Sequence, residues 1–253
     1  MYRGFARAVG ANLAETELDL REYRSLGDFF TRKLRNGART VDASSDAIVS
    51  PCDGAVSAAG IATDGTLVQA KGHTYSLAEL VADDVFAQKL VGGAYATIYL
   101  SPRDYHRVHT PVAGDIVRYD YIPGSLWPVN RWATQRREGL LSRNERVVIR
   151  LNAGALGDVA VVMVGALGVG NIRLFQPKQS DAPDSATLRG ATERTTIEVD
   201  DVRVEKGDEL GAFRLGSTVV LLFGPKAVEL ADLQTNQVLQ FGERIGTATG
   251  GRA

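Results

Sequence analysis

From about residue 46 the chain becomes a series of short runs rich in β-branched residues, each bounded by glycine or proline. Runs so short are poor helices, and their spacing suits strands joined by tight turns. The pattern predicts strands at 47–50, 55–58, 94–100, 116–121, 145–151, 158–164, 195–199 and 217–223. A short helix is expected at 76–80. The polar stretch 177–194 reads as a mobile loop, and the tail after Gly246 is expected to be disordered. The fold class that follows is mainly β (α+β), an antiparallel β-sandwich or barrel with helices added at its N-terminus.

The first 40 residues differ in texture. Tyr2, Phe5, Ala6, Val9 and Leu13 recur at helical spacing, which predicts an amphipathic helix over 1–14. A second helix is expected over 25–36, with Ser25 as its cap and Leu26, Phe29, Phe30 and Leu34 on or near one face. Arg32, Lys33, Arg35 and Arg39 gather at its end. Residues 1–39 hold eight Lys or Arg against five Asp or Glu. Two readings stand side by side: a helix packed on the barrel with solvated arginines, or an apolar face with cationic flanks lying on an anionic bilayer. In the second, Phe5, Phe29, Phe30, Arg32, Lys33 and Arg35 contact the membrane. The domain division expected is an N-terminal helical segment, 1–40, and a β-rich catalytic domain, 41–246.

A weak internal repeat supports the β reading. Pro51-Cys52-Asp53-Gly54-Ala55-Val56 returns as Pro111-Val112-Ala113-Gly114-Asp115-Ile116; in each, Pro and Gly set a tight turn entering a strand. Val204-Glu205-Lys206-Gly207-Asp208 resembles turns of biotinyl, lipoyl and hybrid-barrel domains.

Composition narrows the chemistry. The 253 residues are 44% hydrophobic, enough for one large core or a core with a small appendage. A formal net charge of -1 gives no global attraction to nucleic acid. The single cysteine, Cys52, can form no internal disulfide, and with three histidines the chain is poorly supplied for a metal site. No run of about 18 apolar residues marks a membrane span, and a cytoplasmic location is expected.

Four segments carry candidate chemistry. In Gly216-Ser217-Thr218, glycine permits backbone geometries that let a hydroxyl approach the preceding carbonyl; a plain turn entering a strand is the bland alternative. His106 and His109 lie three residues apart. They would share one side of a helix but point to opposite faces if extended, and they could serve as base and acid in one site or be ordinary surface histidines. Asp53 is either a turn former or the carboxylate that orients a histidine. Beside it, Cys52 reads as a small core residue. The fourth segment is Phe29-Phe30-Thr31-Arg32.

Taken in order, these segments resemble the phosphatidylserine decarboxylase family. The series runs Phe29-Phe30-Thr31-Arg32, Ser50-Pro51-Cys52-Asp53-Gly54, Lys71-Gly72 with Tyr75-Ser76-Leu77, Tyr99-Leu100-Ser101-Pro102 through His109, Pro123-Gly124 with Pro128-Val129-Asn130, Asn144-Glu145-Arg146, Val164-Gly165-Ala166, and Leu215-Gly216-Ser217-Thr218. It spans about residues 25–225, and order and spacing together make chance similarity improbable. The resemblance implies a proenzyme that cuts itself between Gly216 and Ser217, leaving a β chain, 1–216, and an α chain, 217–253. Asp53, His109 and Ser217 would form the self-processing triad, and His106 would act in decarboxylation.

The resemblance also implies a pyruvoyl group made from Ser217 as the covalent cofactor. Decarboxylating an α-amino acid leaves a carbanion that needs an electron sink, and no persuasive lysine and phosphate cradle for pyridoxal phosphate is present. The amine of phosphatidylserine would form an imine with the ketone, lose carbon dioxide and leave as phosphatidylethanolamine. The partners implied are that lipid, an anionic membrane surface and the cleaved chains themselves, with homo-oligomerisation left open. The location would be peripheral, on the cytoplasmic face of the cell membrane. Alternatives are a pyruvoyl decarboxylase of another serine-headed lipid or amino acid, a Ser-His-Asp hydrolase whose serine stays intact, and a non-catalytic β-barrel carrier.

Overall fold

The structure is a computed structural model that describes residues 2–70, 73–166, 172–175, 192–214 and 217–249. In chain order the elements are α1 (Tyr2–Val9), α2 (Leu26–Phe30), β1 (Ala47–Val49), β2 (Gly54–Ile61), β3 (Thr66–Ala70), β4 (His73–Ser76), α3 (Leu77–Val81), α4 (Asp84–Leu90), β5 (Gly93–Leu100), β6 (Arg107–His109), β7 (Gly114–Ile122), α5 (Arg131–Thr134), α6 (Leu140–Arg143), β8 (Arg146–Asn152) and β9 (Asp158–Val164). They continue as β10 (Ile172–Leu174), β11 (Thr195–Val204), β12 (Glu209–Phe213), β13 (Ser217–Pro225), β14 (Val228–Leu230), β15 (Val238–Leu239) and β16 (Arg244–Ala248).

Eight strands form one antiparallel sheet in the order β11-β7-β8-β9-β13-β5-β2-β15. Two three-stranded sheets, β1-β16-β14 and β10-β12-β6, share its core on one face. The alternation of side chains along a strand explains how. Val219, Leu221 and Phe223 of β13, with Val159, Val161 and Met163 of β9, point into a core completed by Ile48, Val108, Leu210, Phe213 and Ile245 of the small sheets. The intervening Val220, Leu222, Ala160, Val162 and Val164 point the other way, onto Leu77, Leu80, Phe86 and Leu90 of α3 and α4. An antiparallel strand with one solvated face reads as alternating apolar and polar. Here both faces are covered, which is why β13 and β9 read as unbroken apolar runs. The expected mainly β sandwich with helices is the architecture found.

Every expected strand is present, several of them longer than expected: β2 reaches Ile61 and β11 reaches Val204. The helix expected at 76–80 is α3, capped by Ser76 through its side chain to the Glu79 N–H. Three expectations are corrected. The helix over 1–14 is only α1, which ends at Val9; Gly10 follows in the left-handed region at φ +74°. The helix over 25–36 is only α2, ending at Phe30, although Ser25 does cap it by accepting from the Asp28 N–H. Beyond it Leu34 bridges to Thr16, and the Arg35 N–H donates to the Glu15 carbonyl at 2.9 Å. Pairing with the preceding segment overrides helix propensity there. The C-terminus also stays ordered past Gly246. β16 continues to Ala248, and the Thr249 N–H donates to the Ala227 carbonyl at 2.9 Å, so partner strands on both sides of β16 hold what the sequence left untethered. Most of the loop expected at 177–194 lies outside the described residues.

The N-terminal segment builds a small core of its own from Ala6, Tyr23 and Phe29, with Phe5, Leu13 and Leu20 against it. Among the described residues no helix is long and apolar enough to cross a membrane.

Candidate active site

The candidate residues lie at or beside the ends of β2, β5, β6 and β13. Ser217 is the first residue of β13 and stands opposite Leu100, the last of β5. From Leu100 the chain turns through Ser101–Asp104, where the Asp104 carboxylate accepts from both the Ser101 N–H and Oγ–H at 2.7 Å. It then reaches His106, whose carbonyl accepts from the Phe213 N–H at 2.9 Å. Residues 101–105 therefore lead from the strand end opposite Ser217 to His106. Leu215 and Gly216, which flank the predicted cleavage position on its N-terminal side, lie outside the described residues.

Ser217 is fully buried, and its Oγ has no hydrogen-bond partner. The same holds for His106 Nε2, and for Thr218 Oγ1 on the opposite face of the strand. Buried polar atoms are nearly always satisfied, so each of these is a group to be accounted for, as are the Tyr75 and Thr97 hydroxyls elsewhere in the core. His106 Nδ1 lies 2.8 Å from the Asp104 carbonyl. A carbonyl only accepts, so Nδ1 carries the proton and Nε2 presents a bare lone pair. The edge of the Phe30 ring lies on this imidazole at a centroid distance of 4.4 Å. Burial pushes the His106 pKa down to about 3, despite the Asp104 carbonyl, and the nearby Arg32 lowers it too.

His109 is held differently. Its Nδ1 donates to the Gly207 carbonyl at 2.8 Å, which leaves Nε2 to accept from the Tyr105 hydroxyl at 3.1 Å. Phe241 stacks flat on the ring, 3.7 Å between centroids and 15° between planes. Burial lowers its pKa to about 4. Because β6 is extended, the two imidazoles take up separate surroundings, which resolves the alternatives left by their spacing of three.

The expected direct contact between Asp53 and His109 is corrected. The Asp53 carboxylate is taken by Arg39, with Nε to Oδ1 at 3.0 Å and Nη2 to Oδ2 at 2.5 Å, and by the Phe241 N–H at 2.8 Å. Asp53 thus acts on His109 through Phe241, whose main chain it fixes and whose ring packs on the imidazole. A buried guanidinium fork with a ready bidentate partner outcompetes a neutral imidazole for that carboxylate. Cys52 is buried in the core with its pKa raised by burial, as a packing residue should be.

Half of the expected membrane face is also corrected. Phe29 and Phe30 are fully buried and Arg32 nearly so, while Phe5 is half-buried and Lys33 and Arg35 are exposed. The Phe-Phe-Thr-Arg segment instead clamps the histidine turn. Arg32 Nη2 donates to the carbonyls of Arg103 and Asp104 at 2.9 and 3.0 Å, and Arg107 Nε donates to the Thr31 carbonyl at 2.8 Å. Beside the turn a cavity of about 270 Å³ is lined by Arg32, Arg39, Asp53, Asp104 and Tyr105.

Sequence reasoning missed Tyr105, Gly207, Phe241 and Arg39 as parts of the site. A trace existed for Gly207: the Val-x-Lys-Gly-Asp turn was legible, but as a mark of fold. Gly207 takes φ +91°, a region that favours glycine, and that turn aims its carbonyl at His109.

Comparison with known proteins places this geometry. The sequence model of phosphatidylserine decarboxylase matches residues 26–247. The chain belongs to the phosphatidylserine decarboxylase family. Among its curated relatives, the phosphatidylserine decarboxylase proenzyme of Myxococcus xanthus is 44% identical over 98% of this chain and 86% of its own length. Proteins of the same name from Anaeromyxobacter and from Brevibacillus brevis are each 43% identical, over 97% and 89% of this chain and 86% and 80% of their own lengths. The family match thus covers every residue of the corner, from Phe29 to Phe241.

Proposed function

We propose that this chain is a phosphatidylserine decarboxylase proenzyme that cuts itself before Ser217 and converts that serine into a pyruvoyl group. The observation that carries the reading is the buried, unpartnered Ser217 hydroxyl at the head of β13, in a corner that also holds the unpartnered His106 Nε2. Names of the relatives, all proenzymes, support the same reading.

Processing begins when Ser217 Oγ loses its proton and attacks the Gly216 carbonyl carbon, turning the amide into an ester. His109 is the base for this step. Its tautomer is set by Gly207, and its Nε2, which accepts from the Tyr105 hydroxyl in the structure, must give up that bond to take the Ser217 proton. Removal of the Cα proton of residue 217 then expels the Gly216 carboxylate by β-elimination and leaves dehydroalanine. Water hydrolyses this to a ketone and releases ammonia, so residue 217 heads the new chain 217–253.

A pyruvoyl group supplies an electron sink for the carbanion left when carbon dioxide departs. The residues present fit it: two buried polar atoms, Ser217 Oγ and His106 Nε2, have no hydrogen-bond partner. His106, held neutral by burial with its lone pair bare, handles the proton at the substrate Cα. The protein works peripherally at the cytoplasmic face of the membrane, where its lipid substrate resides.

Intact mass and denaturing electrophoresis test this. Wild-type protein should yield fragments 1–216 and 217–253, the smaller without a free amine, and should release carbon dioxide from phosphatidylserine. Ser217→Ala should give one uncut chain without activity. A single unmodified wild-type chain, or a normal cut in Ser217→Ala, would defeat the proposal.

A further inference from the structure

Both tryptophans of the chain, Trp127 and Trp132, are large apolar side chains left at the surface, 45% and 64% exposed. They lie in one segment, residues 123–143, that also carries Arg131, Arg136, Arg137 and Arg143 against a single acid, Glu138. All four arginines are exposed. Arg137 stacks on the Trp127 ring with its guanidinium carbon 3.8 Å from the centroid, and Arg136 on Trp132 at 4.5 Å. Exposed tryptophan is expensive in water unless something covers it. Indole rings interleaved with guanidinium groups suit the boundary between acyl chains and anionic head groups.

The segment is bolted down beside the candidate active site. Buried Asn144 accepts from the Trp127 N–H at 3.1 Å through Oδ1, and its Nδ2 donates to the Trp127 carbonyl and to the Gly165 carbonyl, both at 2.8 Å. Gly165 follows Val164, which pairs with Thr218, the residue after Ser217. Gly124 permits the close approach: a Cβ there would sit 2.5 Å from the Arg143 carbonyl oxygen. Arg131 also lines a cavity of about 410 Å³ whose walls include Val68, Ala55 and Tyr99. Tyr99 stands opposite Thr218, and Ala55 adjoins Gly54 of the cavity beside Asp53. The exposed surface therefore leads along β2 toward the reacting strand.

We infer that residues 123–143 are the docking surface for an anionic lipid bilayer, with Trp127 and Trp132 seated at the interface and Arg131, Arg136 and Arg137 drawn to lipid phosphates. The inference deepens the proposed function, since a lipid decarboxylase must meet its substrate at a bilayer, but it assigns the contact to a different surface from the N-terminal segment.

Because Trp127 and Trp132 are the only tryptophans, the unlabelled protein is its own probe. The full chain carrying Ser217→Ala is mixed with phosphatidylcholine vesicles with or without phosphatidylglycerol, which is not the substrate. Phosphatidylglycerol vesicles should co-sediment the protein, shift its tryptophan emission to the blue and shield it from acrylamide; phosphatidylcholine alone should do little. Arg131→Gln/Arg136→Gln/Arg137→Gln should weaken vesicle binding roughly a hundredfold, and Lys33→Gln/Arg35→Gln by much less. Circular dichroism confirms that the variants are folded. Co-sedimentation with unchanged tryptophan emission overturns the inference, as does absence of co-sedimentation. The decarboxylase reading is scored separately, by carbon dioxide released from detergent-dispersed phosphatidylserine by the wild-type protein.

Discussion

His106 and His109 stand three residues apart, yet the fold treats them in opposite ways. His109 is satisfied on every side: a carbonyl on Nδ1, a tyrosine hydroxyl on Nε2 and a phenylalanine flat against the ring. His106 has one nitrogen anchored to the Asp104 carbonyl, the edge of a ring against it, and one nitrogen with no partner. Both are buried and neutral, so the contrast lies in what each can still do. A satisfied imidazole is held in one tautomer and must surrender a bond to react. An unsatisfied one can take a proton from whatever enters its corner. One suits a step made once, the other a step repeated at every turnover.

The largest effect should come from dividing the pair. His109→Ala should leave the chain uncut, whereas His106→Ala should be cut and then decarboxylate phosphatidylserine roughly 10²–10⁴-fold more slowly. Electrophoresis and carbon dioxide release read the two outcomes independently. The reverse pattern, with His106→Ala uncut and His109→Ala cut, would move the processing base to the unpaired nitrogen.

A second effect is shared by both. Their folded-state pKa values, about 3 and about 4, lie below the ordinary 6.5. Between those limits the unfolded chain binds protons that the folded chain refuses. Their contribution is therefore harmless above pH 6.5 and increasingly destabilising as pH falls toward 4. Each histidine costs at most about 1.4 kcal/mol per pH step in that window. Thermal melts from pH 7 to 4 should show falling stability, less steeply in His106→Phe. An identical slope in that variant would show that His106 titrates normally.

The smallest effect is the sharpest test of the contrast. Tyr105→Phe removes the donor on His109 Nε2 and so makes His109 resemble His106. Self-cutting should stay within about threefold of wild type or quicken, since a net hydrogen bond of about 1 kcal/mol no longer has to be exchanged. A large slowing would mean that the tyrosine relays the proton.

Much of this was legible in the sequence, for reasons that differ by region. The strands were visible because alternate residues of β13 and β9 enter two different cores, which forces apolar runs. The site was visible as residue types in order. Local pattern could not show which side chains would meet. Asp53 reaches Phe241 across 188 positions, and a carboxylate beside a histidine motif gives no sign that Arg39 will take it first. Phe29 and Phe30 made the same point from the other side. Periodicity marks an apolar face without saying whether lipid or protein covers it, and here protein does: Tyr23 packs on Phe29, and the His106 ring on Phe30. Trp127 is exposed, with its main chain held by Asn144, a pairing across 17 positions that local pattern does not show.

The position of β13 has a consequence for the cut protein. Its neighbours are β9 on one side and β5 on the other, and β16 from the same fragment lies between β1 and β14. A nick ahead of Ser217 would sever the polymer while leaving its fabric woven through both pieces. The smaller piece could then be withdrawn only by undoing the sheet, so no exchange between molecules could reset the enzyme. Maturation would create a chain end with no exposure to solvent, and the new carbonyl would be born already sheltered.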